Sequence, residues 1–190
     1  MQNSIFSLIQ NRKIRSEGTI SFICREVLKG VHYLHSFGRV HRDIKSENIL
    51  FSSKGEVKIT DFGFSAQLTM ETDCRTTIVG TPAYMAPEFV DGDGYDEKVD
   101  VWAVGVLAYE MAEGKVPVIG RNKLEILTTT NNSPSPVLSS QSEWSENFND
   151  FLSKCLKKNP DERPSSENLL FHPFLLNSNS SSFELLIQSN

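Results

Sequence analysis

A mainly α fold with one small β-hairpin element is encoded in this chain, and three features of the sequence say so. Apolar residues recur at three- and four-residue spacing over residues 19–37 (Ile20, Ile23, Val27, Val31, Leu34), the repeat of a helix with one buried stripe. Residues 98–113 are apolar almost throughout, as a helix covered on all sides must be. Between these two helices, the short β-prone runs Asn48–Phe51 and Val57–Thr60 flank the turn residues Ser53-Lys54-Gly55, the pattern of a hairpin.

The elements follow in order along the chain. The first helix stops at Gly38, a residue suited to a helix C-terminus. After the hairpin, residues 61–97 hold four Gly, two Pro and little periodicity; a loop this long in a compact domain is functional or disordered. Residues 121–130 are weakly helical, and Thr128–Ser142, rich in Thr, Asn, Ser and Pro, reads as a surface loop. Phe148, Phe151, Leu152, Cys155 and Leu156 restore a helical stripe, and a last short helix follows Pro164, where proline fits a helix start. One domain over residues 1–176 is expected. Residues 177–190 form a Ser/Asn-rich tail expected to be disordered.

Composition narrows the partners. The net charge is −5 with a pI near 5.4, so no basic excess points to nucleic acid or an anionic membrane. No run of about 18 apolar residues exists to span a bilayer. The N-terminal apolar residues are interrupted, and Arg12, Lys13 and Arg15 follow them, unlike a secretory signal. Cys24, Cys74 and Cys155 are odd in number and far apart, which argues against a disulfide or zinc framework and for a reducing, cytoplasmic setting. His32 and His35 stand three apart on a helix with no third metal ligand in view, and read as helix-face or core residues.

Three segments carry chemistry: His41-Arg42-Asp43-Ile44-Lys45-Ser46-Glu47-Asn48, then Asp61-Phe62-Gly63, then Ala86-Pro87-Glu88. In this order they are the signature of protein kinases, and from about residue 3 to 175 the chain resembles the C-terminal lobe of that family. The resemblance implies ATP and Mg²⁺ as cofactors and protein Ser/Thr hydroxyls as acceptors. Phosphoryl transfer asks for positioning and charge neutralisation. By resemblance, Asp43 accepts the proton of the substrate hydroxyl, Lys45 places positive charge on the transferring phosphate, and Asn48 and Asp61 offer oxygen ligands to Mg²⁺. Their side chains would meet across the hairpin, and Leu50 would pack under the adenine. His41 is expected to be structural, packed near the Phe of Asp-Phe-Gly.

The finer pattern is of the Ser/Thr type. Lys45 in the catalytic segment and Gly80-Thr81-Pro82 agree with it, Thr81 being the residue that bonds the catalytic Asp and Lys in the family. The strings Phe22 to Gly30, His41 to Asn48, Asp61 to Ala66, Val79 to Pro82 and Tyr95 to Trp102 resemble the sterile-twenty-like group. Arg42 before the catalytic Asp marks kinases switched on by activation-loop phosphorylation. Thr77 matches the phosphosite, with Thr76 beside it, and an upstream kinase or autophosphorylation would act there. Asp100 would brace the catalytic segment, and Arg163 would pair with Glu88. Glu47 and Glu110 match positions that hold basic substrate residues. Two departures touch the peptide-docking surface: Ala83-Tyr84 stands where the group has Tyr-Trp, and Val116-Pro117-Val118-Ile119 lacks the usual second Pro and aromatic. No G-x-G-x-x-G with its strand lysine occurs in these 190 residues, so the expectation is a C-terminal lobe with the N-terminal lobe missing. That leaves three readings: a kinase present as a fragment or truncated gene product, a truncated kinase serving as a protein-binding scaffold, or an unstable remnant.

Overall fold

The computed structural model describes residues 3–14, 16–67, 79–91, 94–176, 178 and 180–188. Its described helices begin with α1 (Ile5–Gln10) and α2 (Glu17–Ser36). Helix α2 starts where the Ser16 side chain accepts from Thr19 N, satisfying one of the free donors of the first turn. It buries Ile20, Ile23, Val27 and Val31 of the stripe read from the sequence, together with Cys24 and Leu28, while Leu34 is half-buried.

Three short strands meet in the hairpin sheet. β3 (Ile49–Phe51) and β4 (Val57–Ile59) pair antiparallel, Ile49 facing Ile59 and Phe51 facing Val57. The edge strand β1 (Asn3–Ser4) adds to β3, with Asn3 opposite Phe51. A separate pair joins β2 (Arg39–Val40) to β5 (Ala66–Gln67). Neither two-residue pairing is readable from the sequence, because alternation needs a longer run to register.

The lower half is helical: α3 (Glu88–Asp91), α4 (Lys98–Glu113), α5 (Lys123–Asn132), α6 (Glu146–Cys155), α7 (Ser166–Leu170), α8 (Pro173–Leu176) and α9 (Ser181–Gln188). Every residue of α4 from Val99 to Met111 is buried, which explains its unbroken apolar run. Helix α2 packs on one side of it and α6 on another. Arg163 is buried beneath: it grips Glu88 through two parallel bonds (2.7 and 3.1 Å) and lies 5.2 Å from the Trp102 ring. Within the fold this ties the Ala-Pro-Glu segment to the base of the lobe, as anticipated.

Two expectations are corrected. Helix α5 continues to Asn132, so the Thr-rich stretch begins as helix. Leu127 and Thr130 are buried on the lobe, and that packing outweighs the weak intrinsic preference of Thr and Asn. The tail expected to be disordered carries α9, whose Phe183 is fully buried. One aromatic with a place to dock outweighs the polar composition around it. No described helix is long and apolar enough to cross a membrane.

Candidate active site

The segment after β2 turns sharply under the hairpin and is held from below. Arg42 has a left-handed φ of 70°, which a non-glycine residue adopts only with support. Asp100, in the first turn of α4, supplies it. Its carboxylate accepts from His41 N and Arg42 N, both at 2.8 Å, and lies 3.0 Å from His35 Nε2. His35 Nδ1 in turn lies 3.1 Å from Ser166 Oγ. Asp100 thus braces the loop as its sequence position suggests, and His35 joins the bracing rather than a metal cluster.

Asp43 is the centre of the site, 2% exposed. Its Oδ1 accepts from Thr81 N (3.0 Å) and Thr81 Oγ1 (2.8 Å). Its Oδ2 accepts from Asn48 Nδ2 (3.0 Å) and lies 3.0 Å from Lys45 Nζ. Lys45 Nζ also donates to Thr81 Oγ1 at 2.8 Å. Burial by itself would push the Asp43 carboxyl up; the bonds from Thr81 and Lys45, the Lys45 charge and the Asn48 bond outweigh it and hold it below the usual carboxylate value. Asp43 is therefore an ionised acceptor at neutral pH. Gly80 makes the approach of Thr81 possible. It has φ +108°, and a Cβ there would sit 2.4 Å from the Arg42 carbonyl oxygen, so any side chain would separate the two segments.

His41 packs edge-on against Phe62, ring centroids 5.1 Å apart. Asp43 N donates to its Nδ1 (3.3 Å), and its Nε2 lies 3.2 Å from the Thr60 carbonyl. An accepting Nδ1 assigns the proton to Nε2, and burial lowers the pKa despite nearby carboxylates. The ring is a neutral spacer between the Asp43 loop and the Asp61 segment.

The hairpin register brings Asn48 and Asp61 to its open end. Thr60 N and Oγ1 both donate to the Asn48 carbonyl oxygen (2.9 and 3.1 Å), and Asp61 comes next, in a left-handed conformation (φ 62°) that turns the chain outward. Asp61 is exposed, its side chain accepting from Gly63 N. The Asn48 amide nitrogen is bound to Asp43, which leaves Oδ1 as the atom for a cation. One amide oxygen and one carboxylate fit Mg²⁺, a hard ion that keeps several waters and needs few protein ligands. Leu50 lines a cavity of about 120 Å³ with Phe51, Ile59 and Thr60. That is below the 300–1,000 Å³ of a typical small-molecule site, so these residues form an open shallow floor and not an enclosure.

The remaining residues divide. Glu47 is exposed beside the catalytic loop. Glu110, expected to face substrate, is instead 5% exposed on the buried α4, and the Tyr84 hydroxyl donates to it. Burial raises the Glu110 carboxyl, and Tyr84 is raised as well. Ser46 N donates to the same Tyr84 oxygen at 3.2 Å. Tyr84, singled out only as a departure, proves to be a strut joining α4 to the catalytic loop. The Arg42 guanidinium donates to the Phe64 carbonyl oxygen (2.5 Å) and Tyr95 OH (3.0 Å). Thr77, Thr76 and Cys74 lie outside the described residues.

Comparison with known proteins agrees with this geometry. The chain matches the protein kinase domain family over residues 1–175. The serine/threonine-protein kinase pakA of Dictyostelium discoideum is 48% identical over 169 residues, covering 88% of this chain and 14% of that protein. The serine/threonine-protein kinase shk1/pak1 of Schizosaccharomyces pombe is 49% identical over 172 residues, 90% of this chain and 26% of that protein. Serine/threonine-protein kinase 1 of Arabidopsis thaliana is 49% identical over 159 residues, 84% of this chain and 19% of that protein. The chain thus spans roughly a quarter or less of each of these relatives. With its loop, hairpin and helical base arranged around Asp43, it belongs to the protein kinase family, on the serine/threonine, sterile-twenty-like branch.

Proposed function

We propose that these residues form the catalytic half of an enzyme that transfers the γ-phosphate of ATP to Ser/Thr hydroxyls of proteins. The observation that carries this reading is the convergence of Thr81, Lys45 and Asn48 on the buried, ionised Asp43 carboxylate. A carboxylate held at one position by several donors suits a group that must orient an incoming hydroxyl and accept its proton. Lys45, 3.0 Å away, is placed to share its charge with a transferring phosphate. Asn48 and Asp61 would hold Mg²⁺, which when bound neutralises phosphate charge and fixes the phosphate oxygens. Leu50 would lie beneath the adenine.

Thr81 aligns both Asp43 and Lys45 and borders the acceptor position. Glu47 is the carboxylate left open to a basic residue of the substrate, since Glu110 is buried. Phosphorylation of Thr77 by an upstream kinase or by autophosphorylation would give Arg42 an anionic partner in place of the neutral Phe64 carbonyl and Tyr95 hydroxyl. The acidic chain and its free, buried Cys24 and Cys155 suit the reducing cytoplasm.

The test is Mg²⁺-dependent nucleotide binding and phosphotransfer to a basic Ser/Thr peptide, with Asp43→Asn as the control. Transfer falling by roughly 10²–10⁴-fold with binding retained is expected. Transfer that survives Asp43→Asn overturns the role of Asp43. Nucleotide binding with no transfer in either protein replaces the enzyme with a scaffold.

A further inference from the structure

Helix α9 lies beyond the residues that match the kinase family, which end at 175. Eight residues are too few to hold a helix in water unaided, so its form depends on what it touches. Phe183, Leu186 and Ile187 share one face, at i, i+3 and i+4. Phe183 is fully buried, Leu186 and Ile187 are half-buried against the core, and Leu185 on the outer side is 68% exposed.

The receiving surface is specific. The Phe183 ring sits 5.5 Å from Phe22 of α2 and 5.5 Å from Phe51 of β3, spacings at which aromatic pairs attract beyond simple burial. Two glycines clear the rim. A Cβ at Gly18 would lie 3.2 Å from Ser182 Oγ, and one at Gly55 would lie 3.4 Å from Glu184 Cγ. The chain is steered in by Arg25, which donates to Ser178 Oγ at 3.1 Å, and by Ser21, which donates to the Phe174 carbonyl at 2.7 Å.

We propose that the groove between the first half of α2 and the β3–β4 hairpin is a docking surface for an amphipathic helix, filled by this chain's own α9 with Phe183 as the anchor. The groove reads Phe at one position and Leu-Ile three and four residues on, the pattern of helix-in-groove recognition. Its occupancy bears on the site from behind, because Phe51 and Gly55 belong to the hairpin whose open end carries Asn48 and Asp61. This goes beyond the proposed phosphotransfer and does not rest on it.

The experiment uses the full chain as wild type, Phe183→Ala and Leu185→Ala, with hydrogen exchange read by mass spectrometry. Phe183→Ala speeds exchange of the α9 amides and of the hairpin turn (residues 52–57) by roughly tenfold or more, with α4 unchanged; Leu185→Ala changes neither. A labelled peptide of residues 180–188 then binds Phe183→Ala and not wild type, and Phe51→Ala in that background abolishes binding. Unchanged α9 protection in Phe183→Ala overturns the proposal, as does equal peptide binding to both proteins. A wild-type dimer that Phe183→Ala dissolves overturns the assignment of α9 to its own chain. Should Phe183→Ala unprotect α4 as well, Phe183→Leu decides: faster α9 exchange with α4 intact supports the groove, and unchanged α9 exchange ends it.

Discussion

The two acidic residues of the site, Asp43 and Asp61, stand on adjacent segments and are held in opposite ways. Asp43 is buried and receives bonds from Thr81, Asn48 and Lys45, and its loop is clamped by Asp100 of the most buried helix. Asp61 is exposed and its side chain touches its own turn through Gly63 N. The lobe therefore builds the Asp43 half of the site into its core and leaves the Asp61 half on its surface. A group whose geometry must be exact before substrate arrives needs prior rigidity, whereas a magnesium ligand is positioned in part by the ion it binds.

Substitutions should separate the two halves, and the largest effect belongs to the clamp. Asp100→Ala leaves the His41 and Arg42 amides and His35 Nε2 without their partner, and should cost about 3–5 kcal/mol in urea unfolding. A cost below 1 kcal/mol would mean that the loop holds its own shape. Thr81→Val removes the hydroxyl bond to Asp43 and the Lys45 bond to that hydroxyl, leaving the backbone bond from Thr81 N, at a cost of about 1–3 kcal/mol. The Asp43 carboxyl then rises toward its ordinary value, readable by carbon-13 NMR titration. Because the folded value is depressed, this stabilisation is complete above the ordinary carboxylate pKa and is lost as pH falls from there through the lower folded value. The gap between wild type and variant should accordingly close in acid.

A smaller effect marks the spacer between the halves. His41 has a lowered folded value, so between about pH 7 and 5 the unfolded chain takes up a proton that the folded chain resists, and stability falls with pH. His41→Gln should lose less stability than wild type over that window, by thermal melts at both ends; parallel losses would show that residue 41 titrates freely. Smallest is Asp61→Asn, which should change stability by no more than about 0.5 kcal/mol while weakening Mg²⁺ binding in a titration. A loss above 1 kcal/mol would erase the contrast between the two acids.

What the sequence discloses follows the same division. Helix α4 and the hairpin are legible because burial writes itself as an apolar run and as two β-prone segments around Gly55. Asp43, Lys45, Asn48 and Asp61 are legible as motifs, and the backbone pairing puts Asn48 and Asp61 at the same end of the hairpin. The fate of Glu110 is not legible, because only its neighbours in space, Tyr84 and Ser46, decide that it points inward. The same holds for Tyr84, whose strut role depends on a helix 26 residues away. Helix α9 escapes for the opposite reason: its polar surroundings dilute the composition, while a single Phe finds two rings contributed by distant elements.

One carboxylate joins more of the molecule than its size suggests. Asp100 contacts the catalytic loop directly and reaches α2 and, through His35, Ser166 at the start of α7. Opening the catalytic loop therefore means breaking contacts that also hold two helices to the core. The cheap, local breathing that surface loops enjoy is closed to this one, and His41 and Arg42 should give up their amide protons only when the lobe itself comes apart. Movement at this site must therefore come from the segments that reach Asp43 from outside, not from the loop that carries it.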